Sequence, residues 1–268
     1  MGSLSSTDGG SNTDRSDEAS IGLALPVRDT GIFRHSASPY VLNFLGDNPD
    51  LDVSIRQLSR VTPTSERSTR EAVNALEASG LVETFHEGNA RRVRINRSRL
   101  DKFDDPIRSI PQTEFQTPVR VARHYAEDEL DDVKGIVLFG SVSRGNADRQ
   151  SDVDLWVLVG DDYVQQRHEA NKLTKRLGEL RIPSTIPVAD ADEADFEANW
   201  PGIRAKLEDD DQDWVSADRY SFEIVVETPQ SVLNQQDRID AQELFAEGIT
   251  LLSTETLRRL KMEVLRNE

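Results

Sequence analysis

The sequence predicts an α+β fold in two structured units: three short helices and a β-hairpin, then a mixed β-sheet flanked by helices. Two observations predict it. Apolar residues recur at helical spacing in three successive segments up to Ser79, then alternate with polar ones on either side of a Gly-Asn turn. Further on, Val133 to Val159, VKGIVLFGSVSRGNADRQSDVDLWVLV, reads as a strand, a glycine turn, a polar loop and a second strand bearing two carboxylates.

Residues 1–29, rich in Ser, Gly, Asp and Thr, read as a disordered acidic tail. MGSLSS fits a myristoylation pattern, but the tail composition is the better account. Residues 30–100 form the first unit. His35 to Phe44 is its first helix, with Ser36 or Ser38 as N-cap and Pro39 in the first turn. Asp52 to Arg60 is the second, marked by Val53, Ile55 and Leu58 and broken at Thr62-Pro63-Thr64. Ser65 to Ser79 is the third, with Ala72, Val73 and Leu76 on one stripe and Gly80 at C′. Leu81 to Phe85 and Arg92 to Ile95 alternate as strands around HEGNAR.

Residues 101–116 read as a linker inside a proline-bearing stretch, with Leu100, Phe103 and Ile107 available to pack beneath the hairpin. Residues 117–268 form the second unit. Thr117 to Glu129 is a helix leading into the strand Lys134 to Phe139, which Gly140 and Ser141 end. Asp152 and Asp154 flank Val153, and a period of two puts both carboxylates on one face of the next strand. Asp161 to Leu180 is a helix marked by Val164, Ala170, Leu173 and Leu177, with His168 on its solvent face. Phe196, Trp200, Ile203 and Leu207 recur at helical intervals, and Asp209 to Asp211 read as a solvated run. Ser221 to Glu227 is a strand. Ile239 to Leu252 is a helix closed at Gly248 and then a strand, and Thr256 to Leu265 is a final amphipathic helix.

The 268 residues suffice for two modest domains, and the absence of cysteine excludes disulfides and thiolate metal sites. No apolar run is long enough for a membrane span and no signal core is present, so a cytoplasmic protein without membrane contact is expected. The net charge is −17, with six lysines against 26 arginines. That balance suits a high-salt cytoplasm such as a halophilic archaeon's; an acidic partner-binding surface is the competing account. Gly31 to Ile110 carries 12 Lys/Arg against 11 Asp/Glu, whereas Pro111 to Glu268 carries 18 against 33.

Two carboxylates on one strand face repel unless a cation lies between them, a role Mg²⁺ fills with one or two carboxylates and substrate phosphates. A Gly-Ser turn lets backbone N–H groups approach those phosphates. GSVSRGNADRQSDVDLWVLV resembles the polymerase-β-like nucleotidyltransferase superfamily, and within it the minimal nucleotidyltransferase group with its pattern GSxARGxAxxxSDxDLxV. The resemblance covers Thr117 to about Ser253 and implies that Asp152 and Asp154 hold Mg²⁺ while Gly140, Ser141, Arg144 and Ser151 contact a nucleoside triphosphate. It also implies a third carboxylate on a later strand. By position this is Glu223, a departure from the group's usual aspartate. The implied reaction is transfer of a nucleoside monophosphate, first of all AMP from ATP, to a hydroxyl. Members of the group often modify a HEPN-type protein partner as antitoxins. A regulator whose nucleotidyltransferase domain only senses nucleotide or is inactive is the main alternative, and an RNA-tailing enzyme a third that the acidity of the second half disfavours.

The segment REAVNALEASGLVE with the hairpin after it resembles winged helix-turn-helix regulators. That resemblance implies a third helix in the DNA major groove, offering Arg67, Ser68, Thr69, Arg70 and Asn74, and a wing offering Asn89, Arg91 and Arg92 to the backbone. The near-neutral charge of this unit favours double-stranded DNA over a dimerisation or protein-docking role. A homodimer is one expected assembly, although no coiled-coil heptads are present.

Overall fold

The computed structural model describes residues 25–27, 30–99, 105–186, 193–209, 211, 214, 216–234 and 241–266. Residues 1–24, 28 and 29 of the tail, and Leu100, Phe103, Asp210 and Ile239, each given a role above, lie outside them. The end of the expected tail is ordered instead: Val27 is buried against the first unit, its N–H donating to Asn43 Oδ1 and its carbonyl accepting from Asn43 Nδ2 at 2.9 Å.

α1 (Ser38–Asp47) begins after Ala37, and no side chain caps it. Neither Ser36 nor Ser38 is the cap; Ser38 is the first helical residue, buried, its N–H donating to the His35 carbonyl. The expected second helix is largely replaced. Val53 and Ser54 form β1, and only Ile55–Leu58 is helical (α2), started by a capping box between Ser54 and Gln57. Val53 pairs with Val93, so a ladder hydrogen bond wins over the helical spacing read from it. α3 (Glu66–Ala78) is capped by Ser65 and closed by a Schellman motif, with Leu81 N–H on the Leu76 carbonyl, Gly80 N–H on Glu77, and Gly80 at φ +71°. β2 (Val82–Glu87) and β3 (Ala90–Ile95) pair around the two-residue turn Gly88-Asn89, giving a three-stranded sheet β1-β3-β2.

The proline-bearing connection is not a loose linker in its described part. Two 3-10 turns, Pro106–Ser109 and Thr113–Phe115, send Ile107, Ile110 and Phe115 into the main core. Ile107 therefore packs in the second unit, not beneath the hairpin.

α4 (Gln116–Glu129) leads into β4 (Val133–Phe139), the one-turn α5 (Gly140–Arg144) and β5 (Asp152–Val159). α6 (Tyr163–Glu179) follows, then β6 (Ile182–Pro183), α7 (Glu193–Leu207), β7 (Ala217–Asp218) and β8 (Ser221–Glu227). Val164 is not a core mark. It is 78% exposed, one residue into α6, while Ala170, Leu173 and Leu177 are buried. α8 (Pro229–Leu233), α9 (Ala241–Glu247), β9 (Ile249–Ser253) and α10 (Glu255–Val264) complete the order. The main sheet runs β8-β5-β4-β9, with β5 and β8 parallel and the other pairs antiparallel. α4, α6 and α7 cover one face; Trp156 and Leu158 on the other meet Val232, Phe245, Leu257 and Leu260 from α8 to α10.

α10 also reaches the first unit. Leu265 joins the cluster of Val41, Leu45, Leu58 and Leu76, and Arg60 donates to the Leu265 carbonyl at 2.7 Å. Beside it Lys261, 2% exposed, donates to Asn48 Oδ1 and Thr250 Oγ1, both at 2.7 Å, and pairs with Asp47 at 3.3 Å. Asp47 in turn accepts the Thr250 N–H at 2.9 Å. A buried ammonium is tolerable only when its donors are satisfied, and here three oxygens satisfy them.

Candidate active site

β4 ends at Phe139, whose Cα partner on β5 is Asp154, and Asp154 is in turn the Cα partner of Glu223 on β8. Asp152, two residues earlier on β5, lies on the same face as Asp154 and opposite Ser221. The parallel register thus brings Asp152, Asp154 and Glu223 to one corner of the sheet. Gly140 turns the chain there at φ +75°, and a Cβ on it would overlap a carboxylate oxygen of Asp154. Only glycine admits both the left-handed backbone and that approach.

Asp152 and Glu223 are exposed, and Asp154 is half-buried. Burial, with Glu223 and Asp152 beside it, pushes the Asp154 carboxyl up to about 6; Arg144 opposes this only in part. The corner therefore concentrates negative charge that a cation would relieve.

The glycine turn is helical. Ser143 Oγ donates to the Gly140 carbonyl at 3.0 Å, and Gly145 closes α5 in the left-handed region. Ser141 is partly exposed on this turn, beside the Gly140 N-terminus. Arg144 pairs with Glu247 at the end of α9 at 3.3 Å, both partly exposed, so a stronger anion can displace that partner. Ser151 faces away from such a role: its hydroxyl donates to Asp148 Oδ1 at 3.0 Å and accepts the Asp148 N–H at 2.9 Å.

Sequence reasoning passed over two residues. Gln112, inside the supposed linker, clamps the loop after α5 by accepting the Ala147 N–H and donating to its carbonyl. Glu247 holds Arg144. Their partners lie 35 and 103 residues away, so neither leaves a local signal, though an amide beside a proline-bearing turn is a hint for Gln112.

The oxygen-only donor set suits a hard divalent cation. Among the described residues no three ligating side chains are grouped closely enough to cage an ion. An ion here would take only one or two carboxylates and find its remaining ligands in phosphate and water, as Mg²⁺ does.

On α3, Arg67 and Arg70 are exposed and pair with Glu71 at 3.1 Å and Glu66 at 2.6 Å. Arg91 reaches Asn74 and Glu77, and Arg92 reaches Glu87 and Gln57, so the hairpin is tied to α3 and α2. Ser68 is partly exposed next to the Ser65 cap. Thr69 does not face outward. It is fully buried, its hydroxyl shared with Thr62 and the Ser65 carbonyl, because it continues the stripe of Ala72, Val73 and Leu76.

A family model described as nucleotidyltransferase domain matches residues 121–191, from α4 through β5 and α6 to beyond β6. A nucleotidyltransferase domain therefore lies there, and it supports nucleoside monophosphate transfer as the general activity. No curated protein and no solved structure matches the chain. The matched region includes Asp152 and Asp154 but stops before β8, so Glu223 rests on the sheet register alone. No described helix is long and apolar enough to cross a membrane.

Proposed function

We propose that this protein transfers a nucleoside monophosphate, AMP from ATP in the first instance, to a hydroxyl acceptor with Mg²⁺ as the divalent ion. The observation that carries the reading is the crowding of Asp154 by Asp152 and Glu223 at a turn only glycine can make. One or two of Asp152, Asp154 and Glu223 would hold the ion, which would supply charge neutralisation between them and the phosphates. The Gly140–Ser141 turn lies against the triphosphate, and Arg144 exchanges Glu247 for its charge. Glu223, exposed at the edge of the sheet, stands where an acceptor hydroxyl approaches and takes its proton. The acceptor oxygen then bonds to the α-phosphorus and pyrophosphate departs.

The first unit serves this reading as a winged helix on double-stranded DNA, with α3 and the hairpin presenting Arg67, Arg70, Asn74, Arg91 and Arg92. Its support is the order of three helices and a hairpin in a stretch of near-neutral charge. A HEPN-type partner protein is the acceptor that the sequence resemblance suggests, and the high-salt cytoplasm the setting that the composition suggests.

Titration calorimetry of ATP with Mg²⁺ in molar salt tests the central claim. Wild type binds, and Asp152→Asn/Asp154→Asn does not. A folded wild type that takes up no nucleotide sinks the transferase and leaves the DNA-binding reading, which gel-shift with the same double variant tests separately.

A further inference from the structure

β8 is the outer strand of the main sheet, and among the described residues its one strand partner is β5. Its residues Phe222 to Glu227 line a groove of about 110 Å³, walled on the other side by Tyr163, Arg167, Asn171 and Thr174 along α6. Two charged groups in this groove are unspent. Glu227 is 3% exposed, and it forms no hydrogen bond or ion pair with any described residue. Arg167, exposed on the wall, likewise has no partner among the described residues. A carboxylate with so little of its residue in water and no donor among the described residues offers a ready partner to an ammonium or guanidinium group.

An outer strand presents main-chain N–H and C=O groups in alternation, which another extended main chain matches. Glu223 and Glu227 stand four residues apart on one strand face, so residues four apart on an added strand fall opposite both, about 13 Å from each other. We propose that the acceptor is an extended polypeptide segment that adds to the free edge of β8, presenting a hydroxyl side chain at Glu223 and a basic side chain, four residues away, at Glu227. This rests on the nucleotidyl-transfer reading and names its acceptor surface. The charge of the second half, 18 basic against 33 acidic residues from Pro111 onward, favours such a segment over a nucleic-acid strand. Arg167 donates to a carboxylate of the same segment.

The test uses the full chain with ATP and Mg²⁺ and short synthetic peptides of β-forming residues carrying a single tyrosine or serine. One set places lysine four positions to either side of the hydroxyl residue, a second places it three positions away, and a third replaces it by glutamate. Transfer, read by mass spectrometry, is about tenfold faster to the first set. In Glu227→Gln the preference falls to about twofold or less while ATP affinity is unchanged. Equal rates for all sets in a protein that binds ATP overturn the docking proposal alone, as does a preference that survives Glu227→Gln. Labelling of an RNA 3′ hydroxyl in place of every peptide overturns the polypeptide occupant. A folded wild type that binds no ATP overturns both this proposal and the reading beneath it.

Discussion

Replacing Asp154 by asparagine removes a charge that the free protein is better without. Its carboxyl is pushed from 3.8 up to about 6 by burial and by the neighbouring Glu223 and Asp152. The folded chain thus holds this proton more tightly than the unfolded chain. The associated stability is fully present below pH about 4 and is lost as pH rises through about 6. A shift of that size corresponds to about 3 kcal/mol. The carboxyl is partly exposed, and solvent screening leaves about 1–2 kcal/mol. At pH 7.5, without nucleotide or divalent ion, Asp154→Asn should therefore be more stable than wild type by about 1–2 kcal/mol, or about 2–8 °C in Tm. At pH 4.5 most of the advantage should vanish, because wild type then carries the proton itself. Denaturant titrations of both proteins at the two pH values, in chelator, give the comparison. An asparagine variant no more stable at pH 7.5, or one whose gain is the same at pH 4.5, refutes the electrostatic account of this corner. On the proposed function the same substitution should abolish Mg²⁺-dependent nucleotide binding in calorimetry, a trade of function for stability.

Gly140→Ala should cost about 1–3 kcal/mol and nucleotide binding together, since the added Cβ meets Asp154 in a backbone region that alanine resists; calorimetry showing unimpaired binding would contradict this. Lys261→Met breaks the buried contacts of the ammonium with Asp47, Asn48 and Thr250 and should destabilise the protein by about 3–5 kcal/mol, read by denaturant unfolding. Thr69→Ala should lower stability by about 1–2 kcal/mol with DNA affinity unchanged, whereas Arg67→Ala/Arg70→Ala should weaken DNA binding and flatten its salt dependence while barely moving Tm, as fluorescence anisotropy across a salt series would record.

What the sequence made legible was what is encoded within a few residues. The Gly-Ser turn and the two aspartates are set by strand period and glycine chemistry alone, and the structure puts them together. The helix of Phe196, Trp200, Ile203 and Leu207 was legible because its four marks have one period, and all four are buried. Thr69 was legible too, three residues before Ala72 and four before Val73; its hydroxyl drew attention to chemistry that its spacing denied. Val53 was not, because two residues of strand leave no alternation and the deciding partner, Val93, is 40 positions on. Nor was Lys261. Nothing beside it says that a lysine on a polar helix is buried, since the oxygens that satisfy it belong to Asp47, Asn48 and Thr250.

The position of α10 in two cores has a consequence for synthesis. Bonds spanning more than 200 residues, from Arg60 to Leu265 and from Asp47 to Thr250, close the first unit only after the ribosome has released almost all of the second. Until then α1 waits without the Thr250 and Lys261 donors to Asp47, its apolar rim open to water. Such long-range closure is slow and favours holding by chaperones. It also makes the first unit a check on the second: a chain that stops short, or whose main sheet fails to form, lacks the contacts that Lys261 and Leu265 make with α1 and Arg60.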